Sequence, residues 1–387
     1  MKIVYLVFIA WLLTGCASQL TKTPPVNDLF HDEMFVAASI PINAADALAI
    51  SQPMRDFAQA KLSHRQGHLN MEDRRRALIE ALYNGGELHL EYDSILTRTA
   101  AESFDAKSGN CLSLVLMTAA MAKELHLPIR YQTVIGVTDW SRSDSFFVAV
   151  GHVNLLMDEI PKESNMKTVA TQAMLIDFLP PEQANVLVTR EIEEKTVLAM
   201  YLNNRAVESL IQGKNDDAYW WAREALLQDR EFFNAYVTLG VIYRTAHHPE
   251  IAELILERAA INEPDNTTIL TNQILVLKDL GRVQEAKEKA ARLLELDPHP
   301  LMSYYFQAQS EMSAGHFESA RRLYEKEIAR DPDHHEYELG LALVYFNLHD
   351  NENAMKHLKR AIELSPSKKM RGLYEEKLQR LKALGVK

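Results

Sequence analysis

The sequence predicts two folded parts in one chain, an α+β domain followed by an all-α solenoid of helical repeats. Two observations predict this division. From about Ala199 the sequence repeats with a period of 34 residues, whereas helical stretches and then β-branched segments precede it, the latter between Ile129 and Phe178. A length of 387 residues with 47% hydrophobic residues fits two globular domains.

The charge balance limits the classes of partner and ligand. The formal net charge of -11 argues against nucleic acid as the main partner, because binding to a phosphate backbone needs a basic surface. The sequence has no glycine-rich nucleotide loop, no metal-ligand spacing and no cofactor motif, so we expect neither a cofactor nor a metal.

The N-terminal sequence is typical of a secretion signal. A charged start, Met1-Lys2, precedes an apolar run from Ile3 to Leu13 that is too short for a stop-transfer helix. Leu13-Thr14-Gly15-Cys16 follows at once and resembles the bacterial lipobox. This resemblance implies that residues 1–15 are a lipoprotein signal peptide and that Cys16 becomes the lipidated first residue. The alternative is an ordinary signal peptide or an uncleaved anchor that happens to contain Gly-Cys.

The residues after Cys16 predict a location. Ala17 and Ser18 replace the aspartate that retains lipoproteins at the inner membrane of Gram-negative bacteria, so the resemblance implies the cell envelope, at the outer membrane and facing the periplasm. Residues 16–28, which include Thr-Lys-Thr-Pro-Pro, are expected to form a tether.

The α+β domain is expected at 29–190 and begins with a helical pattern between about Leu29 and Gly85. A short helix over Thr97 to Phe104 precedes Asn110, a good N-cap, and an apolar, alanine-rich run from Leu112 to Leu125. Cys111 therefore lies in the first turn of a buried helix, where backbone N–H groups favour the nucleophilic thiolate. After export this thiol has no partner for an intramolecular disulfide.

Three predicted strands follow this helix: Ile129 to Val137, Phe146 to Met157 and Ala173 to Phe178. His152 lies inside the second strand and Asp177 at the end of the third. A cysteine on a helix, with a histidine and then an aspartate on adjacent strands, is the arrangement that nucleophilic catalysis needs: a nucleophile, a general base and a carboxylate that orients the base.

The motifs around Cys111 resemble the core of the transglutaminase-like superfamily, which has a papain-type fold. They are Thr99-Ala100, Glu102 and Phe104 ahead of Gly109-Asn110-Cys111, three alanines in the helix, and Leu127-Pro128-Ile129 before a strand. The resemblance spans about Tyr92 to Pro180 and implies Cys111 as nucleophile, His152 as base and Asp177 as its partner, without a cofactor. Gly151-His152-Val153-Asn154 departs from the family pattern, in which an aromatic residue often stands two positions after the histidine. The segment from Pro180 to Glu194 is expected to be a linker.

Three further residues are candidates for the site. Asn110 and Gln132 could polarise a substrate carbonyl, although backbone N–H groups at the helix start can do this alone. Trp140, expected on a loop between strands, is a candidate wall of the cleft. Each candidate also has a structural interpretation: an inert buried thiol for Cys111, a core histidine for His152, a strand-end cap for Asp177 and a packing aromatic for Trp140.

The second half repeats a helix-turn-helix unit. Prolines recur at 264, 298, 332 and 366, and small residues recur at fixed positions where paired helices cross. With Tyr236, Leu239, Gly240, Tyr243, Ala252, Ala259 and Pro264 as its most complete copy, the pattern resembles the tetratricopeptide repeat. We expect five repeats over 199–366 and a polar closing helix over 367–387.

The repeat resemblance implies a protein or peptide partner, bound along the concave face that the first helix of each unit lines. In the last two units this face should carry an apolar strip, Tyr305, Met312, Leu339, Leu343 and Phe346. The alternative is that the strip packs against the closing helix or the other domain, because apolar stripes at helical spacing more often belong to the core.

Two function hypotheses from different classes remain. The first is an enzyme, a peptidase, an amidase or an acyl transferase, that acts on amide bonds through an acyl-cysteine intermediate. The second is a noncatalytic envelope adaptor that binds peptides through its repeats. A thiol that senses oxidants is a third hypothesis, which would need an exposed Cys111 but neither His152 nor Asp177.

Overall fold

The structure of the protein is a computed structural model. It describes residues 25–63, 71–83, 88, 90–93, 96–143, 146–157, 174–178, 188–298, 300, 303–330, 332, 334–365 and 368–383. The predicted signal peptide and the predicted lipid-bearing Cys16 lie outside the described residues, as do residues 16–24 of the predicted tether.

The chain from Pro25 to Leu48 is not helical as the sequence pattern suggests. It forms three short 3-10 turns, Asn27–Leu29, Asp32–Met34 and Ala44–Leu48. Its polar groups bond mostly to the repeats of the second half, which removes the need for helical hydrogen bonds within the segment. We call residues 25–48 the N-terminal strap.

The helices of the first half follow the strap in sequence. They are α1 (Gln52–Ser63), α2 (Met71–Tyr83), α3 (Ala100–Ala106) and α4 (Cys111–Glu124). A capping box of Thr99 and Glu102 begins α3, and α4 is apolar on every face because it lies in the core. A short parallel pair, β1 (Glu91–Tyr92) and β2 (Ser108–Gly109), lies just before α4.

A four-stranded antiparallel sheet completes the first half. Its strands are β3 (Ile129–Ser143), β4 (Phe146–Met157), β5 (Met174–Ile176) and β6 (Val188–Ile192), in the order β5-β4-β3-β6. Two predictions need correction. Trp140 lies within β3, opposite Ala149, and not on a loop; and the expected linker before Glu194 contains β6, which pairs with Tyr131 to Ile135. Both errors arise because strand pairing, rather than local composition, decides where these strands end.

Five helix pairs and a closing helix form the second half. The helices are α5 (Glu194–Ile211), α6 (Asn215–Gln228), α7 (Phe233–Thr245), α8 (Pro249–Asn262), α9 (Thr267–Asp279), α10 (Val283–Leu296), α11 (Ser303–Ser313), α12 (Phe317–Arg330), α13 (His335–Asn347), α14 (Asn351–Leu364) and α15 (Lys368–Ala383). The first repeat helix begins five residues before the predicted start. Within the described residues, no helix combines the length and the apolar character that crossing a membrane requires.

The turn inside each helix pair uses one backbone conformation. Residues 213, 247, 281, 315 and 349 lie 34 positions apart, and all five have positive φ angles between 61° and 78°. Three of them are glycines, which adopt this conformation without strain, and two are histidines. The repeat period found in the sequence is therefore also the period of the backbone.

One continuous hydrophobic core joins the two halves. It includes α4, the inner sides of β3 and β4, and the buried faces of α5 to α8, with residues of α9. Strand β4 packs against α5, α7 and α9, which are the first helices of the first three repeats. A separate, smaller cluster lies between α9 and α10 of the third repeat, and two more lie in the last two repeats and the closing helix. The sheet therefore lies in the concave face of the first three repeats.

The N-terminal strap contacts mainly α6 and α8, the second helices of the first two repeats. Asp32 accepts hydrogen bonds from the Tyr219 hydroxyl at 2.6 Å and from Arg223 at 2.9 Å. Phe35 stacks on Tyr219 with ring centroids 3.9 Å apart. Residues 25 and 28, the end of the predicted tether, accept hydrogen bonds from Arg258 of α8. The first part of the strap therefore belongs with the repeats, whereas its last turn, Ala44–Leu48, packs against α3 and α4 as well as α5.

Candidate active site

Cys111 is the first residue of α4 and is 7% exposed. The side-chain oxygen of Asn110 accepts hydrogen bonds from the Ser113 backbone N–H at 2.9 Å and from the Ser113 hydroxyl at 2.7 Å, so Asn110 is the N-cap that the sequence predicted. A Cβ at Gly109 would lie 2.6 Å from Ser113 Cβ, which only glycine avoids. The segment before the thiol is thus closely packed.

Thr97 connects this cap to the first repeat helix. Its hydroxyl oxygen accepts hydrogen bonds from Asn110 Nδ2 at 2.8 Å and from Asn204 Nδ2 of α5 at 3.3 Å. Its backbone N–H donates to Glu208 at 2.6 Å, and its carbonyl accepts from Arg205 at 3.2 Å. Burial raises the pKa of Glu208, against the hydrogen bonds from Thr97 and the charge of Arg205, which lower it. We call these contacts the Thr97 clamp.

His152 and Asp177 form an adjacent pair. His152 Nε2 and Asp177 Oδ1 are 2.7 Å apart, and the side chains are 2% and 15% exposed. Burial alone would lower the pKa of His152, but the hydrogen bond to Asp177 and the interaction with Cys111 raise it to about 9. The raised pKa favours the positively charged imidazolium at neutral pH, beside the Asp177 carboxylate and the Cys111 side chain.

The two ring nitrogens of His152 have different surroundings. Nε2 faces Asp177, whereas Nδ1 is buried and has no hydrogen bond of standard geometry to any described residue. Nδ1 is accordingly the nitrogen left to exchange a proton with Cys111, which interacts with the ring. Cys111, His152 and Asp177, which the sequence predicted as a triad, are thus brought together in that order.

Asn154 is a member of this cluster that the sequence reasoning missed. It is fully buried, and its Nδ2 donates to Asp177 Oδ2 at 3.3 Å. The signal was its position: Asn154 follows His152 by two residues on β4, and alternate residues of a strand face the same side. A buried polar residue on the histidine side of the strand could have been recognised as a neighbour.

The other subsite candidates have different outcomes. Gln132 lies opposite Asn154 in the β3-β4 pair, and so on the same face of the sheet as His152. The side-chain amide of Asn110 is already engaged in capping α4 and in the Thr97 clamp. Trp140 belongs to β3, as corrected above. Gln132 therefore remains the side-chain candidate on the histidine face of the sheet.

The predicted apolar strip of the last two repeats is divided. Tyr305 is buried against Tyr324 and Tyr337, and Met312 and Leu339 pack partly against the same local clusters. Leu343 and Phe346 on α13 are 40% and 38% exposed. The repeat core thus uses three residues of the strip and leaves two accessible.

Comparisons with known proteins concern the repeats. A family profile described as tetratricopeptide repeat matches residues 305–369. Similar solved structures include YrrB, described as a TPR protein with an unusual peptide-binding site, at 21% identity over 46% of this chain and 92% of YrrB, with a TM-score of 0.26. TTC0263, a thermophilic TPR protein of Thermus thermophilus, has 16% identity over 47% of this chain and 99% of its own, with a TM-score of 0.37. Comparison with curated proteins gives no match.

The profile match confirms the tetratricopeptide repeats predicted for the C-terminal region. The profile match covers the last two helix pairs and the start of α15, and the preceding helices continue the same 34-residue period. Solenoids of stacked repeats have extended concave surfaces to which partners bind.

Proposed function

We propose that this protein is a lipid-anchored cysteine hydrolase of the bacterial envelope, with a transglutaminase-like domain that cleaves amide bonds and repeats that bind a protein partner. Cys111 attacks the substrate carbonyl, His152 transfers the proton to the leaving amine, and Asp177 holds the imidazole. Water then releases the acyl group from Cys111; an amine in its place would make the enzyme an acyl transferase.

One observation carries this proposal. Cys111 at the start of α4 lies beside His152, and Asp177 lies 2.7 Å from the far nitrogen of the same ring. The N–H groups of the first turn of α4 that Asn110 does not bind would supply the oxyanion donors. Cys111, His152 and Asp177 then act as nucleophile, base and orienting carboxylate.

The location rests on the N-terminal sequence. The apolar run that ends in Leu13-Thr14-Gly15-Cys16 supports lipidation of Cys16, and Ala17-Ser18 supports the outer membrane. The strap begins only nine residues after Cys16, at Pro25, so at most about 30 Å of extended chain separates the lipid from the repeats. The domain would then work close to the membrane surface and face the periplasm.

The second candidate function is an adaptor that binds peptides without turnover. The exposed Leu343 and Phe346 on α13 favour it, because apolar side chains left uncovered on the concave face of such a solenoid are typical of a partner surface. In this case the protein would tolerate Cys111→Ser and would lose its partner when both side chains are replaced by serine. The enzyme proposal predicts that Cys111→Ser abolishes function.

The proposal is tested by alkylation of Cys111 with iodoacetamide as a function of pH, on the chain from residue 16 with Cys16→Ser, in which Cys111 is the sole thiol. Protonated His152 favours the thiolate, so we expect a reaction rate that is nearly constant from pH 6 to pH 8. A free cysteine, with a pKa of about 8.5, slows about tenfold for each unit of pH below that value.

His152→Ala is the matched variant in this experiment. It should slow alkylation at pH 6 by at least about tenfold and restore the steep pH dependence of a free thiol. A thiol that is inert at every pH, or one that titrates alike with and without His152, would reject the enzyme proposal and favour the adaptor. Fast alkylation that is independent of both His152 and Asp177 would instead indicate a redox-sensing thiol.

A further inference from the structure

The carboxylate of Asp177 is held at both of its oxygens. Oδ1 lies 2.7 Å from His152 Nε2, and Oδ2 accepts a hydrogen bond from Asn154 Nδ2 at 3.3 Å. A carboxylate held at one oxygen can still rotate about its Cβ–Cγ bond, whereas two fixed contacts determine its plane. The orientation of Asp177 towards the histidine therefore depends on Asn154 as well.

The backbone gives Asp177 little support of its own. Strand β5 has three residues, Met174 to Ile176, and Asp177 follows its last residue. The pairing of Leu155 with Ile176 brings Asn154 next to Asp177 at the end of this short strand. A side chain on the central strand β4 is thus the contact that fixes an aspartate at the edge of the sheet.

An asparagine at position 154 would destabilise the folded protein if its side chain only filled space in the core. It is fully buried, and its Oδ1 has no hydrogen-bond partner among the described residues. Leaving a buried amide oxygen without a hydrogen bond destabilises the folded protein. The adjacent positions, Val153 and Leu155, are equally buried and apolar. An amide at this position therefore indicates a use for its donor group, and that donor points at Asp177.

We propose that Asn154 is a positioning residue that fixes the Asp177 carboxylate in the orientation in which it binds His152. This inference rests on the proposed cysteine hydrolase function, which it extends from three residues to four. Among the described residues, the ionisable groups that act on His152 are Cys111 from α4 and Asp177 after β5. Asn154 carries no charge, so it acts on the histidine only through the geometry of Asp177.

The test is the titration of His152 followed by NMR of histidine-labelled protein, on the chain from residue 16 with Cys16→Ser, with its resonance assigned from His152→Ala. Asn154→Leu, which keeps the branching at Cγ and the number of side-chain heavy atoms but has no donor, should lower the titration midpoint by about one pH unit. Asp177→Asn should lower it at least as much. The double variant should match Asp177→Asn alone, because Asn154 works through the carboxylate that this change removes.

The matched control is Asn272→Leu, since Asn272 is another buried asparagine, on α9, whose Nδ2 donates to a backbone carbonyl. It should leave the His152 midpoint unchanged. An unchanged midpoint in Asn154→Leu, or a double variant clearly lower than Asp177→Asn, overturns the proposal. Thermal unfolding of each variant shows whether it is folded.

A second measurement uses the protein without a change at Asn154. The side-chain amide resonances of Asn154 should shift with the same midpoint as His152, because both groups bind one carboxylate; their failure to follow His152 also overturns the proposal. The outcome is separable from the proposed function. An inert Cys111 in the alkylation experiment rejects the hydrolase, whereas the two NMR titrations still decide whether Asn154 positions Asp177.

Discussion

The first and last repeats of this solenoid share one period but differ in what covers their concave face. Val241 on α7 and Leu343 on α13 occupy the same position of the unit, three periods apart. Val241 is 1% exposed within the core shared with the sheet, whereas Leu343 is 40% exposed. The surface that repeat proteins present to partners is used here inside the chain for the first three units and stays accessible at the far end.

The difference shows that the repeats have two tasks. The first of the covered units supports the candidate active site, because α5 supplies Asn204, Arg205 and Glu208 to the Thr97 clamp that supports the cap of α4. The open units make no such contact in the described part of the chain, and they carry the exposed apolar residues. A partner bound at the open end would therefore leave the site undisturbed, unless the whole solenoid bends.

The largest expected effect comes from placing a charge at equivalent positions in both regions. Val241→Asp buries a carboxylate in the shared core and should lower the free energy of unfolding by more than about 3 kcal/mol. Leu343→Asp, at the exposed position, should cost less than about 1 kcal/mol. Urea denaturation of the two variants measures both values. Equal losses would contradict the division into covered and open repeats.

Two carboxylates that accept backbone N–H groups, the partly buried Glu208 and the fully buried Glu327, give the next comparison. Glu208 on α5 accepts the Thr97 N–H at 2.6 Å, and Glu327 on α12 accepts the backbone N–H groups of Tyr304 and Tyr305 at 2.9 and 3.2 Å. Replacing either by alanine leaves buried N–H groups unsatisfied and should cost about 1–3 kcal/mol of unfolding free energy. Denaturation should therefore rank the two variants as similar.

Reactivity should separate the same two variants. Glu208→Ala loosens the Thr97 clamp and should slow the alkylation of Cys111 at pH 6 severalfold, whereas Glu327→Ala should leave this rate within experimental error of the unaltered protein. Glu208→Gln, which keeps an acceptor oxygen, should restore most of the rate. If Glu327→Ala slows alkylation as much as Glu208→Ala does, the open repeats also support the site.

The sequence was informative where structure depends on neighbours along the chain. The 34-residue period placed all five helix pairs, and Asn110 before an apolar run predicted the start of α4 and the position of Cys111. The strap, the full length of β3, strand β6 and the role of Asn154 were missed. Each depends on contacts with residues distant in the sequence: the strap on the repeats, β6 on β3, and Asn154 on Asp177, 23 positions away.

The smallest expected effect concerns a feature that both regions share. His247 in a covered repeat and His349 in an open one have φ angles of 64° and 61°, where the other turns have glycine. His247→Gly and His349→Gly should each raise the unfolding free energy by about 0.5 kcal/mol, because left-handed strain in a non-glycine residue exceeds the entropy that glycine adds to the unfolded chain. Thermal denaturation checks the sign.

Gly281→Ala is the reverse control, because φ is 74° there and a Cβ would meet nothing within 4 Å. Its expected loss of about 1 kcal/mol is therefore purely conformational. The two histidine variants should agree with each other, since turn strain is local and does not depend on whether the sheet covers the unit. A gain in stability confined to His349→Gly would mean that packing against the sheet affects the turns of the covered repeats as well as their concave face. The difference between covered and open repeats would then extend to the whole helix-turn-helix unit.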